Sequence, residues 1–215
     1  MARLIRLTCA ASWLARARAF GHVKHEDGHV ELEDYRDVTQ ATRDLIGERD
    51  YMVEASPTDS GFRAAVVAAN GGAINEDDTA GGVVGAVAVR FVRPTYVYRL
   101  WGGATPECAA WWHAFGEAVE AAHDLDAYMD AVAICPEWLS GDKITRCTVE
   151  AGYVAVVGPG NKAECADGTV LDPPESVLQI YAATCDDDFA YSAHVSDCVS
   201  CDTNKDDLLA SACFA

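Results

Sequence analysis

The sequence lacks long apolar runs and is poor in basic side chains. No apolar run approaches the ~20 residues that a helix needs to cross a bilayer. The chain has 16 Lys and Arg against 34 Asp and Glu, which gives a formal net charge of -18. Because phosphate backbones and anionic lipid head groups are held by clustered cations, this balance argues against nucleic-acid and membrane partners.

Several common catalytic motifs are also missing. The sequence has no GxSxG nucleophile turn, no Walker A phosphate loop and no GxGxxG turn that opens a helix after a strand. Its six histidines form no HExxH zinc motif. These absences remove the most common hydrolase and nucleotide-fold interpretations.

What is present is typical of one globular domain with decorated ends. The 215 residues are 50% apolar and 23% charged, enough to bury one substantial core. Residues 1–25 hold five basic side chains and no acid, which is typical of a removable targeting peptide or of an amphipathic helix. We divide the rest into a helical part at 26–93, a candidate catalytic core at 94–185 and an acidic, cysteine-containing tail at 186–215.

The nine cysteines are a high count, and an odd number cannot all pair within one chain. We expect reduced, buried thiols, since secreted disulfide scaffolds are usually much shorter; disulfides are the alternative if the protein is exported. Cys198 and Cys201 form a lone CxxC motif. Zinc normally needs four ligands, usually from two such pairs, so we predict no metal site.

Hydrophobic patterns predict an α+β fold with an antiparallel or mixed sheet. Helical spacing of apolar residues covers 26–55 and 109–134, and a turn-rich cluster lies at 56–61. Runs of β-branched and aromatic residues predict strands at 83–92, 95–101, 144–150, 153–158 and 177–184. Helices come mainly first and strands mainly last, which favours α+β over alternating βαβ units.

Three strand segments stand out within residues 98–181. The first ends in Tyr98-Arg99-Leu-Trp101-Gly102, the second reads Val156-Val-Gly-Pro-Gly160, and the last reads Ser176-Val-Leu-Gln179-Ile-Tyr181. In this order they resemble the catalytic domains of the ADP-ribosyltransferase toxin superfamily, including bacterial polymorphic toxins whose core opens with a Tyr-Arg dipeptide. The resemblance implies a split antiparallel sheet that binds NAD in a cleft.

The resemblance also implies roles for individual residues. Arg99 matches the arginine that holds the diphosphate of NAD, with Tyr98 and Gly102 beside it, and a guanidinium suits this task as a rigid fork of donors. Gln179 matches the late-strand Glu or Gln that acts at the nicotinamide ribose. Glu175 is the alternative acid if the strand is shifted in register. The Ser-Thr-Ser strand of many family members has no clear equivalent.

Aromatic side chains in the same stretch offer stacking surfaces for nicotinamide or adenine. Trp101 and Trp138 are the ones we expect in the cofactor site, Trp138 because it stands in a loop, CPEWLSG. Trp111 and Trp112 lie nearby in the sequence. Since a neutral Gln cannot offer a full negative charge, NAD hydrolysis or transfer to an acceptor other than arginine fits better than transfer to arginine.

Two functional hypotheses therefore come from the sequence. The first is NAD-dependent ADP-ribosyl transfer to a macromolecule, or NAD hydrolysis, by a toxin-like effector. The second is a non-enzymatic acidic protein, of viral or mobile-element origin, that binds a partner with a basic surface. Release of nicotinamide from NAD discriminates between them.

Overall fold

The computed structural model describes residues 40–70, 74, 82–103, 105–108, 111–112, 119–120, 122–174, 176–182 and 194–214. This part of the chain combines few helices with antiparallel sheets, so the prediction of an α+β fold is confirmed at that level. No helix within these residues has the length and apolar composition that a bilayer crossing requires.

The regular elements whose bounds the structure describes are three α-helices, ten strands and two short 3-10 helices. The helices are α1 (Gln40–Gly47), α2 (Phe62–Asn70) and α3 (Leu125–Ala131), followed at the end of the chain by 3-10 turns at Leu208–Ala210 and Ala212–Phe214. The strands are β1 (Met52–Glu54), β2 (Val87–Phe91), β3 (Thr95–Trp101), β4 (Trp111–Trp112), β5 (Lys143–Val149), β6 (Val154–Pro159), β7 (Ala163–Glu164), β8 (Val170–Leu171), β9 (Leu178–Tyr181) and β10 (Val195–Asp202).

Two antiparallel sheets make up most of the fold. Five strands lie in the order β1-β2-β6-β9-β4, three lie in the order β10-β5-β3, and β7 and β8 form a separate hairpin. One face of each main sheet contributes to a shared apolar cluster, in which Val97 and Cys147 pack with Val89, Val157 and Ile180. The period-two alternation of a strand directs these side chains to one face, so the main core lies between the sheets.

The outer faces of both sheets are covered by helices. Phe62 and Val66 of α2 pack against Ala88 and Val156 of the five-stranded sheet. Strand β6 is therefore buried along its whole length, which explains its continuous apolar sequence. On the three-stranded sheet, α3 and the C-terminal 3-10 turns cover Tyr98, Leu100 and Ile144.

Two helix predictions are wrong in part. The pattern over 26–55 predicts one helix, but α1 ends at Gly47 and Met52–Glu54 pairs with β2 as an edge strand; residues 26–39 lie outside the described residues. The pattern over 109–134 also predicts one helix. Trp111–Trp112 instead pair with β9, and a left-handed His123 (φ 66°) interrupts the chain before Asp124 caps α3.

The predicted tail is part of the fold. Strand β10, within residues 186–215, pairs with β5 along its length, with a bulge between Ser196 and Val199. The helical part predicted at 26–93 likewise contributes β1 and β2 to the five-stranded sheet. These segments are therefore parts of one structure, because their strands are hydrogen-bonded into the same sheets as the predicted core.

The expectation of reduced thiols is wrong. Disulfides join Cys135 to Cys165, Cys147 to Cys198, and Cys201 to Cys213, and Cys108 is also disulfide-bonded. The two cysteines of the CxxC motif thus bond to different partners, because positions three apart on the extended strand β10 cannot approach each other. Neither sulfur is available as a zinc ligand or as half of an internal redox pair.

Candidate functional site

Arg99 lies on β3, almost fully enclosed. The residue is 3% exposed, and its Nε and Nη2 donate to the Pro106 carbonyl oxygen at 3.2 and 3.1 Å. On the neighbouring strand β5 it faces Thr145, which is fully buried. The guanidinium therefore holds the 105–108 segment against the sheet, which uses two of the donors that the resemblance assigns to the NAD diphosphate.

Gln179 is also buried, at 5% exposure. Its Nε2 donates to the Val132 carbonyl oxygen at 2.7 Å, at the C-terminal end of α3. The same amide packs so closely on Gly160 that a Cβ there would lie 2.4 Å from Nε2. The side chain thus joins β9 to the helix and leaves little of its surface for a ligand.

Arg99 and Gln179 do not face each other. Leu178 and Ile180 of β9 pack in the same cluster as Val97, so Gln179, which lies between them, is on the opposite face of its sheet. Arg99 is two residues from Val97 and shares its face of β3. The structure therefore does not bring these two predicted site residues together across one groove.

The residues predicted beside Arg99 are built into the fold. Tyr98 is on the other face of β3, where its ring stacks on Phe214 with centroids 4.8 Å apart and burial raises the pKa of its hydroxyl. Gly102 has a φ of 137°, and a Cβ there would lie 2.5 Å from the Ser140 hydroxyl. This position therefore requires glycine for its backbone and its packing.

Glu175 lies outside the described residues. For Trp111 and Trp112 the structure describes the strand pairing of the backbone with Tyr181 and Ile180, and nothing further is assigned to them.

A chain of hydrogen bonds links Trp101 to an acid that the sequence does not single out. The indole Nε1–H donates to Thr145 Oγ1 at 2.8 Å, Thr145 Oγ1 lies 2.7 Å from Ser200 Oγ, and the Ser200 hydroxyl donates to Glu107 Oε1. Since an indole only donates and a hydroxyl has one hydrogen, the donors are all directed towards the Glu107 carboxylate. Trp101 and Glu107 remain partly exposed.

This chain of polar groups joins three strands and a loop. Glu107 is 38 residues from Thr145 and 93 from Ser200 in the sequence, and the pairing of β10, β5 and β3 places them side by side. No local motif indicates that proximity. Trp101 is thus a predicted site residue within this group, and Arg99 lies beside it, opposite Thr145 and bonded to the carbonyl next to Glu107.

Trp138 is exposed, at 45%. The backbone N–H of Trp138 donates to the Cys135 carbonyl at 2.9 Å. The backbone carbonyl of Trp138 accepts a hydrogen bond from the Thr105 hydroxyl. Next to it, Glu137 accepts the Ala166 N–H at 2.6 Å. We call Trp138, Glu137 and Asp167 the tryptophan patch, because Glu137 adjoins Trp138 in the chain and bonds Ala166, the residue before Asp167.

Charges near the tryptophan patch are unbalanced. Lys162 pairs with Asp172 at 3.1 Å and Lys205 with Asp142 at 2.7 Å, whereas Glu137 and Asp167 form no ion pair within the described part of the chain. A hydrogen bond from the Thr169 backbone N–H lowers the pKa of Asp167, so this carboxylate is negatively charged at neutral pH. The patch thus combines an exposed aromatic ring with uncompensated negative charge.

The described residues also form a cavity and a group of potential metal ligands, and neither includes a predicted site residue. A cavity of about 270 Å³ lies between α1 and β1, where Arg43 forms a two-bond pair with Glu54 and Arg49 donates to the Tyr51 hydroxyl and the Leu45 carbonyl. None of its lining residues is a predicted site residue. Cys135, Glu137 and Cys165 come close enough to resemble a metal site, but the two sulfurs are joined in a disulfide.

Comparisons with protein-family models, curated proteins and solved structures found no match to this chain. Its function is therefore argued from its own residues.

Proposed function

We propose that this domain is a non-enzymatic, disulfide-stabilised binding protein whose acidic surface holds a partner with a basic surface. The formal net charge of -18 supplies the electrostatic basis. The observation that carries the proposal is that most cations of the described residues are engaged within the fold, with Arg63 of α2 the exposed exception, whereas many acids remain exposed. Arg43, Arg90, Arg93, Lys143, Lys162 and Lys205 form ion pairs, and Arg99 is buried.

The disulfides fit a role in binding better than they fit a mobile catalytic cleft. They tie β10 to β5, the C-terminal turns to β10, and the loop before Trp138 to the β7–β8 hairpin. A surface that is rigid before it meets its partner loses less conformational entropy on association.

Binding of model peptides at increasing salt concentration tests this function. A fluorescently labelled poly-arginine peptide and a Gly-Ser peptide of the same length are titrated with the purified, oxidised domain. We expect the basic peptide to bind and its affinity to fall steeply with added NaCl, because screening weakens attraction between exposed charges. Equal affinity for the two peptides, or no binding of either, contradicts the proposal.

ADP-ribosyl transfer or NAD hydrolysis is a second candidate function, favoured by one observation. The partly exposed Glu107 carboxylate lies in the same hydrogen-bonded group as Trp101, beside Arg99. Two antiparallel sheets around a shared core are compatible with an ADP-ribosyltransferase-like fold. In this version NAD is the substrate, Glu107 takes the place of Gln179 or Glu175 at the ribose, and Trp101 stacks on a ring.

Nicotinamide release from NAD tests the second candidate. Wild type is compared with Glu107→Gln, which removes the charge and keeps the shape, and with Glu164→Gln as a control at an exposed glutamate of β7. The hypothesis expects release by wild type and the control and a loss of at least about 100-fold in Glu107→Gln, the effect of losing one transition-state contact. The absence of release by wild type, or equal release by all three proteins, rejects it.

A further inference from the structure

Trp138 is exposed although its backbone is held firmly. The next residue, Leu139, is 4% exposed and packs in the cluster of α3. On the other side, Cys135 is fully buried, bonded to Cys165, and accepts the Trp138 N–H. Between these two anchors the residue stays 45% exposed, so the fold presents a large aromatic side chain at the surface.

The two acids of the tryptophan patch are held in place by backbone donors. Glu137 Oε1 accepts from Ala166 N, and Asp167 Oδ1 accepts from Thr169 N at 2.8 Å. Asp167 also receives a hydrogen bond from the Thr169 side chain, and neither carboxylate has an ion pair among the described residues. Because Glu137 precedes Trp138 in the chain and its carboxylate reaches the residue before Asp167, a cation on the ring meets negative charge on the same two loops.

A cation–π contact, the interaction that an exposed ring beside acids favours, already occurs elsewhere in the chain. The Arg146 guanidinium lies over the Tyr96 ring, 4.7 Å from the centroid, on the exposed edge of β3. That aromatic ring already has its cation. Trp138, the stronger type of ring for this contact, has none among the described residues.

We propose that the tryptophan patch is the anchor point of the basic partner, where an Arg or Lys side chain stacks on Trp138 and its charge is met by Glu137 and Asp167. This inference rests on the proposed function and names the site through which it acts. The partner is a polypeptide with an accessible Arg or Lys, because only a cation satisfies both the ring and the carboxylates. Tryptophan and arginine are also the residues that most often dominate the energy of an interface.

The experiment uses the full oxidised chain and the labelled poly-arginine peptide described above. Trp138→Ala is expected to lower the affinity roughly two- to thirtyfold, the range that one cation–π contact supplies. Glu137→Gln is expected to lower it less and to weaken its salt dependence. The matched control is Val67→Ala, which shortens an apolar side chain of similar exposure on α2 and is expected to bind like wild type.

The outcomes separate the two levels of the proposal. If wild type does not bind the peptide, the proposed function fails and the anchor fails with it. If wild type binds and Trp138→Ala binds equally well, with unchanged far-UV circular dichroism, the function stands and the anchor is wrong. Saccharides also stack on tryptophan, so Trp138-dependent binding of a neutral oligosaccharide in preference to the peptide likewise overturns the inference.

Discussion

At the scale of the residue, substitution of Gln179 measures how much a buried polar side chain contributes to the free energy of unfolding. Replacing it with Leu removes the donor to the Val132 carbonyl and leaves that oxygen unsatisfied in a buried place. We expect Gln179→Leu to lower the free energy of unfolding by about 1–3 kcal/mol. Urea unfolding followed by circular dichroism measures the change.

Gln40 supplies the control for that substitution. It is exposed on α1, where its Nε2 donates to Asp44 at 2.8 Å, so Gln40→Leu is expected to change stability by less than about 0.5 kcal/mol. If Gln179→Leu is as stable as wild type, the bond to Val132 contributes nothing, and the amide is available for the ligand role that the resemblance implies.

At the scale of the element, disulfides tether strands and turns with different sequence separations. The pair Cys147–Cys198 joins residues 51 apart, Cys135–Cys165 joins residues 30 apart, and Cys201–Cys213 joins residues 12 apart. Because a longer loop loses more entropy when closed in the unfolded chain, we expect the double-Ala variants to lose about 4, between 3 and 4, and about 3 kcal/mol, respectively.

The ranking is the result that matters in this series. Denaturant unfolding of the three double variants gives it directly, and an oxidised wild type treated with reductant provides the limit with all tethers open. A variant without Cys201–Cys213 that is less stable than one without Cys147–Cys198 would contradict loop closure as the main source of stabilisation. In that case the packing of the C-terminal turns on β5 is the stronger effect.

Strands were the elements that the sequence predicted best. Residues 95–101 form β3 as predicted, since alternating β-branched and aromatic side chains suit a half-buried pleat. The pattern over 109–134 was misleading because spacing alone does not register a left-handed residue such as His123 or a tertiary pairing such as Trp111 with Tyr181. Tertiary contacts override a weak local preference in these places.

The candidate site was less predictable than the strands. The sequence indicates Trp101, but the Thr145, Ser200 and Glu107 side chains that it joins are distant in the sequence. Which face of a sheet a side chain occupies depends on register, and a shift of one residue reverses it. Strand pairing places Arg99 on the face of its sheet that contributes to the core between the sheets, and Gln179 on the opposite face of the other sheet. The residues alone do not reveal this placement.

At the scale of the whole molecule, several tyrosines connect the packing to alkaline pH. Burial raises the pKa of Tyr98, Tyr128 and Tyr181 above the ordinary value of 10.0. Tyr128 is fully buried, and its hydroxyl has no hydrogen-bond partner within the described residues. These groups keep their protons in the folded state at a pH where the unfolded chain releases them.

The sign of the pH dependence follows from that difference in bound protons. Below pH 10.0 the tyrosines are protonated in both states, so their contribution to stability is fully present. Above it the unfolded chain ionises first, and the free energy of unfolding falls by up to about 1.4 kcal/mol per pH unit for each group still protonated in the fold. We expect urea midpoints to decrease steadily above pH 10.

Tyr128→Phe isolates one of these tyrosines. Removing a buried hydroxyl without a partner is expected to leave stability at neutral pH equal or higher by up to about 1 kcal/mol. Above pH 10 the variant should lose stability less steeply than wild type, because one titrating group is gone. Tyr96→Phe, at an exposed ring, is the control for removing a tyrosine hydroxyl and should change stability at neutral pH by less than about 0.5 kcal/mol. Identical slopes for Tyr128→Phe and wild type would contradict this expectation. They would show that the fold opens around the Tyr128 hydroxyl before the ring ionises. The core formed by α3 and the three-stranded sheet would then open first at high pH.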